Sequence, residues 1–191
     1  MTDTPCPAPI AFADVVDYWA GDLTRVEEDR IEDHVFTCAN CARALAAAEG
    51  LARGIAAVAR EGRLDSVVTD SILNRLAADG ARVRTYTLEE GGVVHCAVWA
   101  DDDVVVTRIR ADLAEVESVS IVTRQASGDE ISRLSDVAVR PGQREILNAF
   151  SAARLRTLPP TRVLVSVTAH SGGGERTIAE YTLEHAGAFD R

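Results

Sequence analysis

The sequence contains no lysine: its 20 basic residues are all arginine, set against 30 aspartates and glutamates for a net charge of −10. A chain this acidic argues against nonspecific nucleic-acid binding, which needs a basic surface to displace counterions. It is compatible with a basic protein partner. With the abundance of Ala, Val and Asp, the missing lysine reads as a high-GC coding bias and carries no mechanism. Long apolar runs are also missing, and none approaches the ~20 residues of a membrane span. Met1 to Pro9 has no basic residue and no apolar signal core. These absences predict a soluble, cytoplasmic protein. There is no phosphate loop, no dinucleotide fingerprint and no Ser-His-Asp order, so the expectation is that the chain is not an enzyme.

What is present suits one large domain or two small ones. The chain has 191 residues, and 47% of them are hydrophobic, enough to bury a core. Two halves with different periods follow. Phe12, Val15, Val16 and Trp19 form a short amphipathic helix that Gly21 ends. Thr24-Arg-Val-Glu27 has capping-box spacing and opens a second helix, with Val26, Ile31 and Val35 as its apolar residues. A longer helix begins at Cys38, with Leu45, Ala48, Leu51 or Ala52, Ile55 and Val58 as a buried stripe, and Glu61-Gly-Arg63 breaks it. Thr69 or Asp70 caps a fourth helix carrying Ile72, Leu73 and Leu76 and closed by Gly80.

From Arg82 the period changes to two. Val94, Cys96 and Val98 alternate with His95, Ala97 and Trp99, and Val163, Val165 and Val167 alternate in the same way. Further strands are expected over 104–110, 118–125, 131–139, 162–169 and 176–185, the last two joined by a hairpin at Ser171-Gly-Gly-Gly174. About seven short strands at this spacing predict a β-sandwich or a related barrel. The fold class is therefore α+β: a four-helix N-terminal domain over 1–80, then an antiparallel β-sandwich or cupin-like domain over 81–191.

The chemically pointed segment is His34-Val-Phe-Thr-Cys38-Ala-Asn-Cys41. Four cysteines in a reducing compartment read as metal or redox ligands before disulfides. A Cys-x2-Cys pair can occupy two corners of a tetrahedron. A His four residues earlier lies on the same helical face and offers a third. Cys41 falls in the first turn of the long helix, where the macrodipole favours a thiolate. Cys6, between Pro5 and Pro7 in an extended arm, is the best candidate for the fourth ligand. A thioredoxin-like role does not fit a motif lying between two helices. Cys96 is expected to be core, and His95, His170 and His185 to be scattered side chains rather than a second site.

Taken together, Tyr18-Trp-Ala-Gly21-Asp-Leu23, the acidic stretch Thr24 to His34 and Cys38-Ala-Asn-Cys41 resemble the zinc-associated anti-sigma domains. The resemblance covers residues 1 to about 80. It implies a metal site of Cys6, His34, Cys38 and Cys41 holding one structural Zn2+. It also implies a partner, an extracytoplasmic-function sigma factor, which such a domain keeps from RNA polymerase. A C-terminal sensor domain and signal-dependent release are the family's further implications. Residues 1–80 hold 14 Asp and Glu against 7 Arg, so an acidic face is available to a basic partner. Two other readings stay open at this point: an open Cys2His zinc that activates water in a hydrolase, with Glu32 or Asp33 nearby, and a zinc-stabilised adaptor for some other protein. Oxidation of Cys38 with Cys41 or Cys6, ejecting the metal, is a subsidiary expectation.

Overall fold

The computed structural model describes residues 6–60, 65–171 and 174–189. It is an α+β chain, with helices in the N-terminal part and two β-sheets in the C-terminal part. Helix α1 spans Phe12–Ala20 and stops at Gly21, whose φ of +76° favours a residue without a Cβ. Asp22 N–H then closes onto Asp17 C=O at 3.0 Å, and Gly21 N–H onto Tyr18 C=O at 3.2 Å. Helix α2, Arg25–Thr37, starts with the expected capping box: the Glu27 carboxylate accepts the Thr24 N–H at 2.8 Å. That hydrogen bond, with the Thr24 hydroxyl, holds the Glu27 carboxyl below its ordinary pKa. Helix α3 spans Ala39–Arg60. The side chains of its expected stripe beyond Ala48, and the break at 61–63, lie outside the described residues.

Strand β1, Ser66–Val68, and helix α4, Asp70–Ala78, follow. Then come β2 Val83–Leu88, β3 Val93–Trp99, β4 Val104–Arg110, β5 Ser118–Gln125, β6 Glu130–Ala138 and β7 Glu145–Ser151. A short helix α5, Ala152–Leu155, leads to β8 Thr161–Ser171 and β9 Gly174–Phe189. One sheet has the order β1-β7-β4-β2 and the other β3-β9-β8-β5-β6. They face each other across a core that includes Leu88, Ile109 and Ile146 from the first sheet and Val119, Val167 and Tyr181 from the second.

Three expectations need correction. The sandwich is not purely antiparallel, because β2 pairs parallel with β4 and β3 parallel with β9. The cause is chain routing. Tight turns at Glu89–Gly92 and Trp99–Asp102 carry the chain from one sheet to the other and back. Strands β2 and β4 therefore run the same way side by side. Second, β1 and β7 were not expected. Strand β1 has three residues. In β7, Ile146, Leu147 and Asn148 are buried in succession, because the strand has neighbours on both sides and is covered on both faces. A strand buried on both faces shows no alternation.

Third, the fourth helix does not complete a four-helix unit. Leu73 of α4 packs on Val106 and Leu147, with Val68, Leu76 and Val83 around them, so α4 covers the outer face of the first sheet. Strand β1 pairs antiparallel with β7 in that same sheet. Residues 66–78 thus pack with the β unit although they precede Gly80. The helical unit consists of α1, α2 and α3.

Candidate metal centre

Three segments bring four donors together. Helix α2 ends at Cys38, whose backbone is extended (φ −119°, ψ 101°), and α3 begins at the next residue. The Cys38 N–H still bonds the His34 C=O at 2.9 Å as the last bond of α2, while its own C=O receives the Ala42 N–H at 3.0 Å as the first bond of α3. Cys38 is thus both a C-cap and an N-cap. An N-cap side chain normally accepts from the N–H three residues on, and here the Cys41 N–H donates to the Cys38 sulfur. That hydrogen bond is the main reason the Cys38 thiol is pulled down to about 6.

His34 lies in the last turn of α2, and Cys41 in the first turn of α3. Cys6 arrives from the extended arm before α1, and its sulfur lies 3.4 Å from His34 Nε2. Partial burial raises the Cys6 thiol, against the lowering effect of the Ala8 N–H. The donor atoms of Cys6, His34, Cys38 and Cys41 all fall within 4.8 Å of one another; Cys41 is buried and the other three are half-buried. A tetrahedral ion with bonds of about 2.3 Å has edges of about 3.8 Å, so this spacing suits one four-coordinate metal ion. The cluster brings together all four residues singled out in the sequence. An ion held by all four would have a complete tetrahedral set of protein ligands.

The remaining candidates do not join it. Glu32 accepts a hydrogen bond from the Tyr18 hydroxyl at 3.0 Å, which ties α2 to α1. His95 pairs with Glu184 at 2.9 Å on the surface. His185 is buried beside Cys96, with Nδ1 3.9 Å from the sulfur, and burial raises the Cys96 thiol. His170 Nε2 lies 2.7 Å from Ser120 Oγ, and its Nδ1 lies 3.7 Å from Glu175. That order of groups has the outline of a hydrolytic triad, with Ser120 itself only 1% exposed.

One feature escaped the apolar pattern. Val26, named among the apolar residues of the second helix, is 78% exposed, and Phe36 on the same helix is 88% exposed. Phe12, Val16 and Trp19 of α1 are also exposed, whereas Ile31 of α2 is buried. Where α1, α2 and α3 meet lies an open pocket of about 270 Å³, lined by Tyr18, Ile31, Glu32, Val35, Phe36 and Leu45. No helix is long and apolar enough to cross a membrane among the described residues.

No family model matches the sequence, and no curated protein does. Among solved structures, the chain has a likeness to the N-terminal domain of phage TP901-1 ORF48, at 14% identity and a TM-score of 0.37, over 56% of this chain and 99% of that one. It has another to murine CRIg, at 12% identity and a TM-score of 0.33, over 55% of this chain and 96% of that one. Superposition this loose carries no inference about activity or partners.

Proposed function

We propose that the chain is an anti-sigma factor: its helical unit, built on one structural zinc ion, binds an extracytoplasmic-function sigma factor and sequesters it. The observation that carries this reading is the convergence of Cys6, His34, Cys38 and Cys41 at the joint between α2 and α3. Three thiols and an imidazole are a donor set that favours zinc over harder cations. A closed set favours a structural ion over a catalytic one, which weighs against the hydrolase reading. The exposed surface of α2 supports a protein partner. Exposed Phe36 and Val26 stand on a helix that also carries Glu27, Glu28, Asp29, Glu32 and Asp33. Apolar anchors surrounded by acidic side chains complement a basic surface with apolar pockets.

The test is binding of the zinc-loaded full chain to each extracytoplasmic-function sigma factor of the source organism, read by co-elution and by inhibition of transcription from the cognate promoter. A complex with one of them, lost on chelation, is the expected result. If none binds, the reading fails.

A further inference from the structure

A helix leaves its last carbonyls without partners, and those of α1 are completed by the turn that follows it and by one residue from elsewhere in the chain. Asp17 and Tyr18 carbonyls are taken by the backbone N–H groups of Asp22 and Gly21. The next two, Trp19 and Ala20, accept from one guanidinium: Arg75 Nη1 at 2.9 Å and Nη2 at 3.3 Å. The same guanidinium stands over the Trp19 ring, 5.9 Å from its centroid. Arg75 lies on α4, which Leu73 fixes to the sheet. A second arginine arrives from the connection between β6 and β7. Arg140 reaches Asp17 at 2.5 Å and Asp22 at 3.1 Å. Helix α1 has no basic residue of its own in its last turn. The two cations that oppose its negative end therefore both come from the β unit.

We infer that Arg75 and Arg140 form a latch through which the β unit sets the position and order of α1. The helix is short, at nine residues, and presents Phe12, Val16 and Trp19 to solvent, so apolar burial secures little of that face. Its docking to the β unit runs through charge and hydrogen bonds instead. Arg140 and Asp17 are both partly exposed, so their ion pair weakens with ionic strength and makes the latch releasable, whereas the Asp22 carboxylate is nearly buried and its pair is screened less. Arg140 also stands in the wall of a pocket of about 890 Å³ that includes Leu113, Val116 and Val139. A rearrangement of the β6–β7 connection that withdraws Arg140 from Asp17 and Asp22 is thereby passed to α1. This goes beyond the anti-sigma reading and does not depend on it.

The test uses the full chain in two ways. Amide hydrogen exchange of the unaltered protein is compared at low salt and at high salt, with chloride as the only variable. Residues 12–20 should exchange faster at high salt while 104–110 and 163–169 hold their protection. In a Trp99→Phe background Trp19 is the one remaining tryptophan. There, the pair Arg75→Gln and Arg140→Gln should shift Trp19 emission to the red. It should also speed exchange over 12–20 by about tenfold, the equivalent of ~1.4 kcal/mol. Arg140→Lys should keep most of the protection. Salt-independent exchange over 12–20, or unchanged emission and exchange in the double variant with the β unit intact, would overturn the latch.

Discussion

Cys6 and His34 are 28 residues apart in sequence and 3.4 Å apart at Sγ and Nε2. A metal ion bridging them would close the arm before α1 onto the end of α2, and α1 lies inside that loop. Cys6→Ser should therefore weaken metal binding by more than the ~10–100-fold typical of losing an outer-shell partner. It should also lower the unfolding temperature of the helical unit. Competition with a chromophoric chelator measures the first effect and thermal melting the second. Equal affinity in the variant would mean that Cys6 is not a ligand.

Val26 and Phe36 are the reverse case, apolar side chains that the fold does not use. Val26→Ala and Phe36→Ala should each change unfolding free energy by no more than about 0.5 kcal/mol. Binding of the sigma factor should fall by about tenfold or more for Phe36→Ala, a loss of ~1.4 kcal/mol. Urea unfolding and titration calorimetry separate the two quantities.

Leu73 joins α4 to the sheet at 6% exposure. Leu73→Ala removes the centre of a small outer core and should cost about 2–5 kcal/mol in the β unit. Metal content should be unchanged, because the four donors lie on other elements. A variant that loses its metal with the sheet intact would contradict this division of the chain.

Asp102 is a buried carboxylate in the turn between β3 and β4. It accepts Arg84 Nε at 2.6 Å, Arg84 Nη2 at 3.0 Å and the Trp99 N–H at 2.8 Å. Burial works to raise its pKa, but Arg84 and the Trp99 N–H outweigh it, so the carboxyl titrates below its ordinary value. A carboxyl depressed in the folded state adds stability above the unfolded aspartate value of about 3.9, and that stability is lost as pH falls through the folded value. Urea unfolding between pH 5 and 2 should show this loss, with a shallower pH dependence in Asp102→Asn. Asp102→Ala should cost about 3 kcal/mol at neutral pH, since it leaves Arg84 half-buried and unpaired.

Local signals carried far in this chain. Gly21, the Thr24–Glu27 box and Thr69 marked helix ends because each acts on backbone groups within three residues. The same is true of the His34–Cys41 spacing, which one helix turn on either side of a joint translates directly into neighbouring donors. Cys6 also reaches that cluster, although 28 residues of chain separate it from His34. Non-local relations did not carry. Strand β7 hides its period because both of its faces are buried. Leu73 and Leu76 have the spacing of an amphipathic helix, but spacing does not say whether the apolar face meets helices or a sheet. Val26 and Phe36 look like core residues to any pattern, and only the packing reveals that nothing covers them.

Cys38 is the one residue between α2 and α3 with a non-helical backbone, and both helices complete their hydrogen bonds without reference to a metal. An ion at that point governs the direction between two rods and leaves their helicity to themselves. Stripping the ion should then leave the circular dichroism of the helices nearly intact while the small-angle scattering profile broadens. The information lost on demetallation would be an angle.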